Sequence, residues 1–272
     1  MIQVHVFRKG QELRDVPVAG LSEVRSDPQT LVWVDLVSPT ADELAAMAEE
    51  FHVHELALAS CATGPKQRPR VEEYEEQVLL IAYAARPVAA GQPVDLHELD
   101  VIAGRNYLLT FHGGAPIDAA EVARRVAARP ELAKHGSGFL LYVALDEVVD
   151  TFFPALDRIG ERIEELEEAV FEASVDVQSQ IFSLRRDLIA IRRVAGPMRD
   201  AMIVLLRRDL GLFTRSPSAI CRTSTTTWSG SWTASRTTRT WPRGRLRPAW
   251  PSSPTGSGWS PATSAPMPPS SP

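Results

Sequence analysis

Between Leu141 and Val170 apolar side chains recur at spacings of mostly three and four: Leu141, Leu145, Val148, Val149, Phe152, Leu156, Ile159, Ile163, Leu166 and Val170. That period places them on one stripe of a helix about eight turns long, far beyond an ordinary globular helix. Asp157, Glu161, Glu164, Glu165, Glu167 and Glu168 occupy other faces, with Arg158 and Arg162 spaced to pair at i,i+3 or i,i+4. A second stretch, about 177–209, carries Ile181, Leu184, Leu188, Ile191, Val194 and Met198 on its stripe and Arg185, Arg186, Arg192, Arg193 and Arg199 elsewhere. An acidic helix followed by a basic one predicts an antiparallel pair, and Pro154 and Pro197 predict kinks because proline removes a backbone donor.

The chain ahead of this pair reads differently. Ile2–Phe7, Leu31–Leu36, Gln77–Ala84, Leu99–Ala103 and Tyr107–Phe111 are short β-branched and apolar runs that predict strands. Thr40 and Glu43 form a capping-box pair opening a helix at Ala41–Phe51, and Asp118–Ala128 is a second helix closed by Pro130. The expected fold class is α+β/α: an N-terminal α/β domain over 1–132, long antiparallel stalk helices over 133–213, and a disordered tail over 214–272.

The tail is set apart by composition. From Thr214 to Pro272 there are seven arginines, no Asp, Glu or Lys, and five of the six tryptophans. Without hydrophobic periodicity such a segment cannot offset its chain entropy. Residues 1–213 keep 22 basic against 34 acidic side chains, a net charge of -12, which favours cations over nucleic acid as partners. Cys61 and Cys221 make no metal-binding or disulfide framework and suit a reducing, cytoplasmic setting. The N-terminus lacks the pattern of an export signal, and the longest apolar runs, Val78–Ala85 and Phe139–Leu145, fall short of the ~20 residues that span a bilayer.

The run from Gly138 to Asp157, continuing into Glu164-Glu165-Leu166-Glu167, resembles the start of the stalk helix in the CorA family of magnesium transporters. Gln67-Arg68-Pro69-Arg70-Val71-Glu72 and the following strand look like that family's Arg-Pro-Lys-Val-Glu segment, while Leu184–Leu188 and Gly196–Asp200 are similar to its second helix. The resemblance covers about 1–213. It implies the cytoplasmic funnel of a homopentameric channel for Mg²⁺ or another divalent cation, at the cell membrane, and not an enzyme. The family's two membrane helices and Gly-Met-Asn signature do not occur here, so the chain as written is expected to be cytoplasmic and not to conduct. Ala59 and Ser60 stand where the family carries an acidic metal-sensing pair. Asp146 matches a family position at a cytoplasmic magnesium site, and Asp150 lies one turn on along the same face. Their carboxylates suit Mg²⁺, which keeps most of its waters; the alternative is a pair of polar helix positions holding no metal.

The genetic code offers a reading of the tail. Shifting the frame to the last base of one codon plus the first two of the next turns threonine (ACN) into Asp, Tyr, His or Asn, and serine (TCN) into Val, Leu, Ile or Phe. Thr223–Ser229 can then encode Asp-Val-Tyr-Asp-His-Leu-Val, and Trp250–Ser257 Leu-Ala-Val-Val-Ser-Asn-Arg-Leu, both close to the family's own sequence at these points. A frameshift near Phe213–Ser218 is the expectation.

Other constellations have narrower claims. His52 and His54 would share a face on a strand and could bind a transition metal. His112-Gly113-Gly114 resembles an oxyanion-loop fragment, but Gly136-Ser137-Gly138 is not a nucleophile elbow. The interleaved Arg236, Arg239, Trp241, Arg243, Arg245, Arg247 and Trp250 could clasp single-stranded nucleic acid. A third reading keeps 1–213 as an acidic oligomerising or cation-sensing module without a pore.

Overall fold

The computed structural model describes residues 1–9, 11–13, 16–62, 66–86, 92–130, 136–172 and 177–207. The elements, in chain order, are β1 (Ile2–Arg8), β2 (Gln11–Leu13), α1 (Leu21–Arg25), β3 (Thr30–Val37), α2 (Ala41–Phe51), α3 (Glu55–Ala62), β4 (Arg70–Tyr74), β5 (Gln77–Arg86), β6 (Asp95–Gly104), β7 (Tyr107–His112), α4 (Ala119–Ala127), α5 (Ser137–Asp150), α6 (Phe152–Glu172) and α7 (Val177–Arg207). The seven strands form one sheet in the order β2-β1-β3-β7-β6-β5-β4, antiparallel throughout except for the parallel pair β3–β7.

All five expected strands are present, each lengthened at one end or both. The short strands β2 and β4 complete the sheet at its two edges, where pairing on one side only leaves a weak sequence signal. Thr40 caps α2 as expected: its side chain accepts from the Glu43 N–H at 3.2 Å while the Glu43 carboxylate accepts from the Thr40 N–H at 2.8 Å. Asp118 caps α4 in the same manner, accepting from the Glu121 N–H at 3.0 Å.

Side chains alternate across the sheet, and both faces are covered. On one face the register aligns Arg70, Ile81, Asp100, Phe111 and Leu36 in a single row. Phe51 at the end of α2 packs on Tyr107 of this face, with ring centroids 5.0 Å apart. The opposite face carries Trp33, Asp35, Thr110 and His112, and α4 and α5 lie against it. Helix α5 buries Phe139, Leu140, Leu141, Val143, Ala144, Leu145 and Val148, so it is apolar nearly all round, as a helix sunk into a core must be.

The expected single long helix is two. Thr151 separates α5 from α6: its N–H reaches the Glu147 carbonyl at 3.2 Å, its hydroxyl donates to the Val148 carbonyl at 2.6 Å and accepts from the Ala85 N–H at 2.9 Å. Pro154 has no N–H to offer the carbonyl four residues back, at Asp150, so the interruption falls where the ladder is already open. Pro197, by contrast, lies inside α7, which continues to Arg207.

The stripe on these helices is only half used. Phe152, Ala155, Ile159 and Leu166 of α6 are buried, as are Ile191, Val194, Met198, Ala201, Met202 and Leu205 of α7, yet Leu156, Ile163, Ile181, Phe182, Leu188 and Ile189 are exposed. Arg158 makes the anticipated i,i+3 pair with Glu161. Among the described residues Arg162 makes no ion pair within its helix. It bridges to α7, donating to Asp187 and the Ser183 hydroxyl, and Asp187, only 3% exposed, also accepts from the Val94 N–H at 3.2 Å. The tail from Thr214 onward, with its expected disorder, shifted frame and Arg/Trp clasp, lies outside the described residues.

Candidate metal centre

Asp146 and Asp150 sit in the last two turns of α5. A helix places residues four apart on one face, and the Asp146 charge does act on Asp150. Burial raises the Asp150 carboxyl above its ordinary value, the Asp146 charge raises it further, and Arg125 partly offsets both. Arg125, on α4, is the cation of this face: its guanidinium donates to Asp146 and lies 3.4 Å from the Glu147 carboxylate. Glu147 is likewise pushed up, first by burial, with Arg125 opposing and Asp150, Glu121 and Asp118 adding to the rise. Among the described residues Asp150 forms no ion pair.

Several carboxylates thus gather around one guanidinium, a potential that attracts cations. Among the described residues no group of three or more His, Cys, Asp or Glu side chains converges to hold a bare ion.

The remaining sequence candidates part company. His52 is not on a strand; it ends α2 in a left-handed conformation (φ 50). His54 stacks on Tyr74 at 4.6 Å, and its Nδ1 accepts from the Leu56 N–H at 3.2 Å, so the two histidines do not share a strand face. Ala59 and Ser60 lie on α3, where the Ser60 carbonyl accepts from Gln67 Nε2 at 2.8 Å. The backbone donors after His112 are already used: His112 Nδ1 accepts from Gly114 N–H at 3.1 Å and Ala115 N–H at 2.9 Å. That fixes the imidazole so that Nε2 faces the buried Asp35 carboxylate at 3.2 Å, and Thr110 donates to the same carboxylate. Trp33 Nε1 completes the network, donating to the Thr110 hydroxyl at 3.1 Å. Ser137 is buried and donates to the Gly104 carbonyl.

Asp100 was not foreseen. It is 6% exposed, and its Oδ1 has no hydrogen-bond partner. Burial first, and then the Glu98 charge, push its carboxyl up to about 7, with Arg70 opposing. Arg70 is instead engaged by Glu72 at 2.5 Å, and Glu98 accepts from the Gln67 N–H at 2.6 Å and the Tyr83 hydroxyl at 2.7 Å. An aspartate between Leu99 and Val101 was a visible signal of a charge inside a strand, though the residues facing it follow only from the register.

Among the described residues no helix is long and apolar enough to cross a membrane. The family model described as CorA-like Mg²⁺ transporter protein matches residues 28–226. The putative metal ion transporter YfjQ of Bacillus subtilis is 30% identical over 200 residues, covering 73% of this chain and 60% of the relative. The cobalt/magnesium transport protein CorA of Methanocaldococcus jannaschii is 26% identical over 198 residues, 72% of this chain and 61% of that protein. The chain therefore spans about 60% of the length of these curated relatives. In fold it is similar to the soluble domain of the Methanocaldococcus jannaschii CorA, with a TM-score of 0.60 at 21% identity over 86% of this chain and 92% of that one. It is also similar to the full-length CmaX protein, with a TM-score of 0.65 at 20% identity over 84% and 67%. With the family model matched over most of its length, this chain belongs to the family of CorA-like Mg²⁺ transporter proteins.

Proposed function

We propose that this chain is the cytoplasmic portion of a divalent-cation transporter, Mg²⁺ being the first candidate cargo, and that it does not conduct by itself. The observation that carries the reading is the joint one: a family match over residues 28–226 on a fold that covers 92% of a CorA soluble domain, with no described helix suited to a bilayer. Domains over 1–132 and 133–213 follow from the same reading, as does placement of the whole transporter at the cell membrane. The exposed apolar residues on α6 and α7, Phe182 and Ile181 foremost, support a homo-oligomer in which neighbouring copies cover them. The change of composition after Thr214 supports a lost reading frame near Phe213–Ser218.

Asp146 and Asp150 are the proposed regulatory contacts for hydrated Mg²⁺. Occupation of the site neutralises part of the acidic face and competes with Arg125 for Asp146. The test is Mg²⁺ titration of the purified chain, followed by sedimentation velocity and by calorimetry. Saturable binding in the millimolar range, weakened in Asp150→Asn and abolished with Asp146→Asn added, supports the site; heat and sedimentation unaffected by Mg²⁺ oppose it. The second reading, a cation-sensing module acting without a pore, is favoured by the same acidic face. It predicts assembly with Mg²⁺ in a chain that has no membrane spans in any frame of its gene.

A further inference from the structure

Helix α3 is a thin cover over a charged part of the sheet. Within it only Ala57 is buried, while Glu55, Leu56, Ala59 and Ala62 are exposed. Its apolar side chains gather on no single face, so little burial holds it down. Its N-terminal end is anchored: the Val53 N–H reaches the Ala48 carbonyl of α2 at 3.0 Å, and the His54 N–H donates to Gln77 Oε1 at 3.1 Å. At the C-terminal end Gln67 ties it to the sheet, its Nε2 donating to the Ser60 carbonyl at 2.8 Å and its N–H to the Glu98 carboxylate at 2.6 Å.

Beneath that end lie two carboxylates. Glu98 and Asp100 are two apart on β6 and share a face, and the charges of both act on the Cys61 thiol of α3. The neighbours of Asp100 in register on β5 and β7 are Ile81 and Phe111, both buried and without charge. Its Oδ1 is buried without a hydrogen-bond partner. The titratable and charged groups facing it are Glu98, Arg70 of β4, Cys61 of α3 and Tyr83 of β5. Arg70, the cation of this set, is engaged by Glu72 at 2.5 Å. The Tyr83 hydroxyl is turned to the Gln67 carbonyl at 2.6 Å and the Glu98 carboxylate at 2.7 Å.

Such a carboxyl is tolerated while it holds its proton. Ionised in place, it is a buried charge beside a like charge, an arrangement relieved by admitting water or by moving what covers it. Ile81 and Phe111 close the sheet on either side, so the easier way in is under the C-terminal turn of α3. Burial first, and then the Glu98 charge, hold the carboxyl at about 7, so both of its forms are populated near neutrality.

We propose that α3 is a proton-operated cover: protonated Asp100 lets the C-terminal turn of α3 rest on the sheet, and loss of that proton lifts the turn about its anchored N-terminal end, baring Glu98 and Asp100 to water. The closed form keeps a proton that the open form releases. Opening is therefore favoured as pH rises from about 4 towards about 7, by about tenfold per unit, and levels off above. The experiment is amide hydrogen exchange of the full chain at pH 5, 6, 7 and 8, read as protection relative to the intrinsic exchange rate at each pH. Protection over Ser60–Ala62 is expected to fall about fortyfold from pH 5 to pH 7 and about twofold more by pH 8. It is expected to stay at least about tenfold below that of the central strand β3 throughout, as local opening requires. Asp100→Asn, which does not ionise, should hold protection constant to within about threefold. Glu98→Gln keeps an acceptor for Gln67 and Tyr83 but removes the neighbouring charge, so its fall should be smaller than the parent's, and it serves whether or not Asp100→Asn folds. No fall in the parent between pH 5 and pH 7, a full fall in either variant, or α3 amides protected as strongly as those of β3 would each overturn the proposal.

Discussion

Replacing Asp100 by asparagine should make the stability of this protein less dependent on pH, by an amount that follows from where the carboxyl sits. In the fold Asp100 is held at about 7 against an ordinary value of 3.8. The groups facing it are Glu98 on its own strand, Arg70 on β4, Cys61 on α3 and Tyr83 on β5; burial pushes the Cys61 thiol and the Tyr83 phenol up as well. Because the folded pKa is raised, the native state keeps a proton that the unfolded chain releases between these two values. Stability is therefore lost as pH rises from about 4 to about 7, and the loss levels off above. At about 1.36 kcal/mol per unit the whole effect is about 4 kcal/mol, of which about 2.5 kcal/mol falls between pH 5 and pH 8. Asparagine has nearly the shape of the protonated acid and does not titrate. Urea unfolding of both proteins at pH 5, 6, 7 and 8 gives the difference in stability, variant minus parent. It should climb by about 2.5 kcal/mol across that range. A difference that stays flat to within about 0.5 kcal/mol would refute the argument that Asp100 is buried without adequate partners.

Further outcomes follow from other contacts. Arg162→Ala strands the buried Asp187 carboxylate and should cost about 3 kcal/mol in urea unfolding, whereas Arg158→Ala, which breaks only the more exposed pair with Glu161, should cost less than about 1 kcal/mol. Thr40→Ala removes half of the capping box on α2 and should lower stability by about 1 kcal/mol in the same assay. Gly104→Ala should destabilise by about 2 kcal/mol, and most of that should be recovered relative to the single variants when Tyr107→Ala is added, a coupling that a double-mutant cycle reads directly.

Much of the fold was legible because it depends on local pattern. The inner strands are apolar runs that predict themselves, and Thr40 with Glu43 marks the start of α2 to the residue. The short elements were not legible. Strand β4, Arg-Val-Glu-Glu-Tyr, is an edge strand whose charged side chains hide its period, and α1 has only five residues. Pro154 marked an interruption in the long helix, but its place at Thr151 was not legible, because the stripe passes through it without a change of phase and the hydrogen bond that the Thr151 hydroxyl accepts comes from Ala85, 66 residues earlier. The candidate site was half legible for a similar reason. The spacing of Asp146 and Asp150 follows from the helix, but Arg125 reaches Asp146 only through the packing of α4 on α5. Asp187, Asp35 and Asp100 are charges whose burial is decided by partners distant in sequence, and no local pattern names those partners.

The central claim is that this chain is the cytoplasmic part of a cation transporter separated from its membrane spans by a change of frame. The measurement that bears on it most directly is the nucleotide sequence of the gene through the codons for Gly211–Ser218 and onward past Pro272. The expected result is an inserted or deleted base in that stretch, with the restored frame encoding Asp-Val-Tyr-Asp-His and then two apolar spans of ~20 residues. A gene whose reading frame runs unbroken through the tail, and in which no other frame encodes that peptide or those spans, would contradict the claim.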